Sequence, residues 1–238
     1  MDLFNRLKAI KFLISNGLSF RRVRHMRRIL ILNPKGGCGK STIATSLAGY
    51  FASNGHKVAL ADYDPQGSSL SWLANRPEKK PKIYSIKGYE SGLKNIPSDV
   101  THLVMDAPAR SEGQELDNLI RISESIVFPV LPSPIDMEAA VDYLDLILNQ
   151  RQLVMKQAKM ALVANRIKEN TLSFDILDDF LEKQKIPYVA TLRESQNYIK
   201  CFDRGLGIHE LAPYLAYTDW EQWQPLINWI DSKKSLPE

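Results

Sequence analysis

Residues Asn33 to Thr42 read N-P-K-G-G-C-G-K-S-T, between the apolar run Ile29-Leu30-Ile31-Leu32 and the helix-like stretch Ile43 to Phe51. A buried strand that turns through three glycines into a helix start leaves backbone N–H groups pointing outward without partners. Phosphate oxygens suit such a cradle. Gly36, Gly37 and Gly39 are expected to take φ > 0 and to let the main chain approach a polyphosphate closely. Lys40 is placed to reach the β- and γ-phosphates, and the Ser41 hydroxyl to ligate Mg²⁺. Cys38 fills the variable position of the loop, where any modest side chain would serve, and Thr42 follows Ser41 into the helix.

Two more strand ends carry carboxylates. Asp62-Tyr63-Asp64-Pro65-Gln66-Gly67 follows the run Val58–Ala61, and the two-residue period of an extended chain sends Asp62 and Asp64 to the same side. Leu103-Val104-Met105-Asp106-Ala107-Pro108 is an apolar run that delivers one carboxylate at its end, where Asp106 would bind Mg²⁺ directly or through water.

The loop departs from the general pattern G-x-x-x-x-G-K-[ST], having Pro34 in place of the first glycine and an additional Lys35. In this K-G-G-x-G-K-[ST] form it resembles the deviant Walker A box of the ParA/MinD superfamily, and from residue 29 to about 232 the chain looks most like short ParA (ParF-type) partition ATPases. The resemblance implies a SIMIBI-type P-loop NTPase, an α/β protein with a mostly parallel sheet flanked by helices on both faces. It further implies ATP and Mg²⁺ as cofactors and a homodimer in which Lys35 crosses to the partner's nucleotide. Asp64 would orient the attacking water, with Asp62 near the metal's shell. The segment Val130 to Asp136, with Pro134, resembles the proline-bearing stretch near the base and dimer interface, and Asn165-Arg166 resembles the N-[RK] pair that contacts adenine. Arg193, Lys200 and Arg204 match a face that binds DNA without sequence preference, and Gly207-Ile208-His209-Glu210 is a loose version of the ending of that region. The family reading adds a slow hydrolysis stimulated by a ParB-like or other adaptor protein, and a nucleoid-associated place in the cytoplasm.

These residues must be positioned by a scaffold, and its elements are legible. Short apolar runs alternate with helical patterns, as in a parallel sheet flanked by helices. Strands are expected at 29–32, 58–61, 83–86, 103–105, 126–130, 160–164 and 189–192, and helices at 40–53, 68–75, 115–122, 137–157, 171–184 and 218–231. In such folds ligands sit at the carboxyl ends of strands, where all of these motifs fall. The 238 residues suit one ATPase domain, 29–238, preceded by a basic extension, 1–28.

Composition narrows the alternatives. At 44% hydrophobic and 24% charged, with no apolar stretch of membrane-spanning length, the chain reads as a cytoplasmic globular protein. Cys38 and Cys201 are too few for a disulfide framework or a zinc site, and the pair of cluster-ligating cysteines of a nitrogenase iron-protein-like relative is missing. Residues 1–28 carry eight lysines and arginines against Asp2 alone, five of them arginines between Arg21 and Arg28. This head suits a nucleic-acid backbone, a membrane surface through Leu3, Phe4, Leu7, Ile10, Leu13 and Ile14, or no partner at all. The tail stripe Trp220, Trp223, Leu226, Ile227, Trp229 and Ile230 reads as a helix packed on the sheet, with a membrane anchor as the alternative. Three functions follow: a ParA-like ATPase that segregates or positions a cargo, a MinD-like membrane-cycling regulator, and a P-loop metabolic ligase or synthetase.

Overall fold

A computed structural model of the chain describes residues 25–238. The expectations for residues 1–24 lie outside the described residues. Along the rest run β1 (Arg27–Ile31), α1 (Lys40–Ser53), β2 (Val58–Asp62), α2 (Ser68–Ala74), β3 (Ile83–Lys87), α3 (Gly88–Ser91), β4 (His102–Asp106), α4 (Gly113–Arg121) and β5 (Ser125–Val130). There follow α5 (Pro134–Leu148), α6 (Arg151–Val154), β6 (Lys159–Ile167), α7 (Leu172–Glu182), β7 (Tyr188–Arg193), α8 (Gln196–Asp203) and α9 (Pro213–Asp231).

The seven strands form one sheet in the order β3-β2-β4-β1-β5-β6-β7, and every pairing is parallel. Alternation along β1 shows why both faces must be covered. Ile29 and Ile31 join α1 and α9 in one buried cluster. Leu30 and Leu32 join α4, α5 and α7 in the other. Such strands read as unbroken apolar runs because neither face meets water. The sheet grows outward in both directions from β1, so the crevice at the carboxyl end of β1 is the topological switch point where ligands bind.

Several local expectations need correction. The helix expected at 137–157 begins earlier and breaks: Ser133 is the N-cap of α5, Pro134 occupies its first turn, and the helix stops at Leu148 before the short α6. Pro at this position loses no hydrogen bond and has its φ preset for the helix. The helix α8 has no counterpart among the expected elements, although Ser195 caps it by accepting from the Asn197 N–H. Arg27 and Arg28, counted with the basic head, lie in β1, where Arg27 bonds Ser125, Ser235 and the Ile230 carbonyl and Arg28 bonds Glu124. The tail stripe is interior: Trp223, Leu226, Ile227 and Ile230 are essentially inaccessible to water.

Candidate functional site

The loop between β1 and α1 is held from both sides. Asn33 is buried; its Nδ2 donates to the Pro129 carbonyl at 2.6 Å, and its Oδ1 accepts from the Lys35 N–H at 2.7 Å. The one mark Asn33 leaves in the sequence is a polar residue closing an apolar strand. Two of the three glycines use the left-handed region, Gly37 at φ 78° and Gly39 at φ 91°; Gly36 does not, and has open space where a Cβ would be. Gly39 is required twice, since a Cβ there would also collide with the Asn165 amide.

Lys40 is buried, and its Nζ donates to the Lys35 carbonyl at 2.8 Å, folding the ammonium back across the loop. Lys35 thus lends its main-chain N–H and C=O to the loop of its own subunit. Cys38 is less neutral than its variable position suggested. Its Sγ is buried 3.9 Å from Lys40 Nζ, and burial pushes its thiol pKa up.

Because β2 and β4 are neighbours in register, Asp62 lies opposite Asp106. The two carboxylates do different work. Asp62 is fully buried and accepts three backbone N–H groups, from Asp64 on Oδ1 and from Ser69 and Leu70 on Oδ2. Asp62 thereby caps the start of α2 and pins the 64–69 segment. Burial raises its pKa, with the three N–H groups opposing. Asp106 Oδ2 accepts from Ser69 Oγ at 2.6 Å, while Oδ1 is buried with no hydrogen-bond donor among the described residues. Burial lifts the Asp106 pKa to about 6, eased by the nearby Ser69 and Ser41 hydroxyls and by Lys40. Nothing in the sequence marked Ser69, which joins both carboxylates.

Asp64 is partly exposed and accepts from the Gln66 N–H through one oxygen. It faces a cavity of about 650 Å³ shared with Lys40, Ser41, Thr42, Asn165, Arg166 and residues of α8. That volume suits a nucleotide-sized ligand. In an ordinary strand Asn165 and Arg166 would point to opposite faces. A register shift between Asn165 and Ile167, with Arg166 at φ 54°, brings both to the loop. Asn165 Nδ2 donates to the Cys38 carbonyl at 2.7 Å, and Arg166 Nη1 to the Gly37 carbonyl at 3.4 Å while its Nη2 pairs with Glu194.

The family model for the CobQ/CobB/MinD/ParA nucleotide-binding domain matches residues 29–208. The chain belongs to that family. It is 28% identical over 190 residues to the maintenance of carboxysome distribution protein A of Halothiobacillus neapolitanus, covering 77% of this chain and 87% of that protein. An ATP complex of Cyanothece McdA superposes with a TM-score of 0.68 at 17% identity, covering 85% of this chain and 96% of that one. The MinD cell division protein of Aquifex aeolicus gives 0.67 at 16% identity, covering 85% and 97%. Likeness at that identity speaks for the fold.

Among the other residues expected from the ParA/MinD resemblance, Pro134 sits exposed at the start of α5 and does not line the cavity. Lys200 and Arg204 are exposed on α8 and just after it. Arg193 is not a free cation: its Nε donates to Asp219 Oδ1 at 2.7 Å, and Asp219 is fully buried and also held by Asn197. The arginine clasps β7 to α9. Glu210, at the family-like ending, is likewise internal, gripping Arg76 through two bonds of 2.8 and 2.9 Å.

Proposed function

We propose that this protein is a ParA-type ATPase that closes as a dimer on two ATP molecules, binds DNA without sequence preference in that state, and positions or segregates a cargo. The observation that carries the reading is the split between the two lysines. Lys40 turns inward over the loop, whereas Lys35 gives its own subunit main-chain bonds that leave its ammonium available to a partner's phosphates.

The buried Asp106 Oδ1 without a donor, beside Ser41, fits a divalent cation, and these two residues would hold Mg²⁺. When bound, the cation neutralises phosphate charge. The chain itself does the rest by positioning. The loop N–H groups and Lys40 cradle the phosphates, Asn165 and Arg166 stand at the edge for the base, and Asp64 offers a carboxylate oxygen to a water. With catalysis resting on positioning and charge neutralisation, intrinsic turnover is slow and a ParB-like or other adaptor accelerates it.

DNA is favoured over a membrane as the surface on which the dimer cycles. The tail that could have served as an anchor is buried in the core. Lys200 and Arg204 remain available for phosphate contacts, and the basic extension can add to them. The test is light scattering of Asp64→Ala and of Asp64→Ala/Lys35→Ala with saturating ATP and Mg²⁺. Asp64→Ala should dimerise without hydrolysing, and the double variant should stay monomeric. The dimer should shift random duplex DNA with a steep salt dependence and leave anionic liposomes in suspension. A monomeric Asp64→Ala protein under those conditions refutes the reading.

A further inference from the structure

The sheet ends at β3, which pairs with β2 on one side only, so one row of its N–H and C=O groups has no strand partner among the described residues. By alternation Ile83, Ser85 and Lys87 share the face toward α2. That helix has only seven residues. Ile83 is sealed into the same cluster as Trp72, while Ser85 and Lys87 stay exposed. The uncovered strip becomes a groove of about 590 Å³, walled by Leu70 and Leu73 of α2 and rimmed by Lys80, Lys82 and Lys87.

The charge of this groove is one-sided. Glu78 is the only acid among the described residues that line it. Arg76 is consumed by Glu210, which also lies 3.7 Å from Lys80. Lys82 has an aromatic neighbour instead of an acid, its Nζ 5.0 Å from the centre of the Tyr84 ring. Lys87 pairs with Glu90 in an exposed contact that a better partner can replace. Lysines on an edge strand repel most incoming strands. An acidic strand turns the same charges into recognition.

We propose that the groove binds an extended acidic peptide segment of a partner protein, which adds a strand to β3. Its carboxylates meet Lys87 on the α2 face and Lys82, which alternation sends to the other face beside Tyr84, and an apolar side chain between them rests on Leu70 and Leu73. At roughly 3.3 Å per residue the two lysines are about 16 Å apart along the chain, so the acids of the occupant stand about five residues apart.

The groove wall is also tied to the nucleotide site. The Leu70 N–H donates to Asp62 Oδ2, and Ser69 bonds both Asp62 and Asp106. A peptide seated on Leu70 therefore changes ATP turnover; this consequence, unlike the binding, rests on the ATPase reading above.

The test is fluorescence anisotropy, without nucleotide, of the whole protein with a labelled peptide of about ten residues, mostly valine and threonine, that carries two glutamates five positions apart. Wild type should bind it, and Lys82→Glu/Lys87→Glu should weaken binding at least about tenfold with an unchanged melting temperature. Of two versions N-methylated at alternate residues, one should fail to bind, because only every other residue faces the edge. Absence of binding by wild type, an unaffected charge-reversed variant, or equal binding of both N-methylated peptides overturns the proposal. So does displacement of the peptide by random duplex DNA at equal charge concentration, which would make the groove a nucleic-acid surface. Since nucleotide is left out, failure of the ATPase reading would not alter these outcomes.

Discussion

Replacing Asp106 by asparagine should make the magnesium-free protein more stable, not less. The Asp106 carboxyl titrates at about 6 in the fold against an ordinary 3.8, chiefly because burial disfavours the anion. A raised acid pKa means that the folded state holds the proton more tightly than the unfolded chain does. Its contribution to stability is therefore full below the unfolded value and lost as the pH rises through the folded one. At roughly 1.4 kcal/mol per pH unit, the displacement costs the folded protein about 3 kcal/mol at pH 8. The substituted amide would keep the shape and the oxygen that accepts from Ser69 without carrying a charge. In melts with a chelator, wild type and Asp106→Asn should coincide near pH 4, and the variant should melt roughly 6–12 °C higher at pH 8 for a domain of this size. The same substitution should abolish the extra stabilisation that Mg²⁺ gives the nucleotide complex. A variant no more stable than wild type at pH 8, or an offset that is the same at both pH values, refutes the assignment of Asp106 as a buried anion awaiting a cation.

Glu210→Gln should destabilise the protein by about 3–5 kcal/mol in urea melts, because it strips the partner from the buried Arg76 guanidinium. The Glu210 pKa is lowered by its hydrogen bonds to Arg76 and Gly207 against the opposing pull of burial, so this increment is present above the ordinary glutamate range and lost in acid; the variant should lack that acid sensitivity. Gly39→Ala should cost about 1–2 kcal/mol for its left-handed backbone and more for displacing Asn165, and should abolish binding of labelled ATP by equilibrium dialysis. Arg193→Ala should lower the melting temperature by removing a charged partner of buried Asp219, whereas Lys200→Ala and Arg204→Ala should leave it unchanged and weaken only the DNA shift.

The separation of roles between paired residues of one type was beyond the reach of local pattern. Asp62 and Asp64 stand two apart at a strand end, and local pattern alone sends both to the same side, the resemblance alone giving them separate roles. One is closed off by three N–H groups of the segment it pins and the other is left at the cavity, and this follows from where α2 begins. Among the basic residues, Arg193 shares a stretch of sequence with Lys200 and Arg204 and reads as one of their set. The kinked helix α9, with Ala216 at φ −132° in its first turn, brings buried Asp219 to Arg193 alone. Asn165 and Arg166 are legible as a pair, but neighbours on a strand point apart unless the ladder slips, and the slip lies in the pairing of β6 with β7.

Seven strands, the glycine turn and the lysine that closes it were determined by the sequence alone, because hydrophobic period and backbone freedom act over a few residues and leave their mark there. The order β3-β2-β4-β1-β5-β6-β7 was decided by tertiary structure. That order places Asp62 opposite Asp106, sets Asn33 against Pro129, and leaves β3 at an edge that the short α2 only partly covers. The first two of these juxtapositions join residues far apart in the chain, and all three depend on burial and partners that exist only once the sheet has formed.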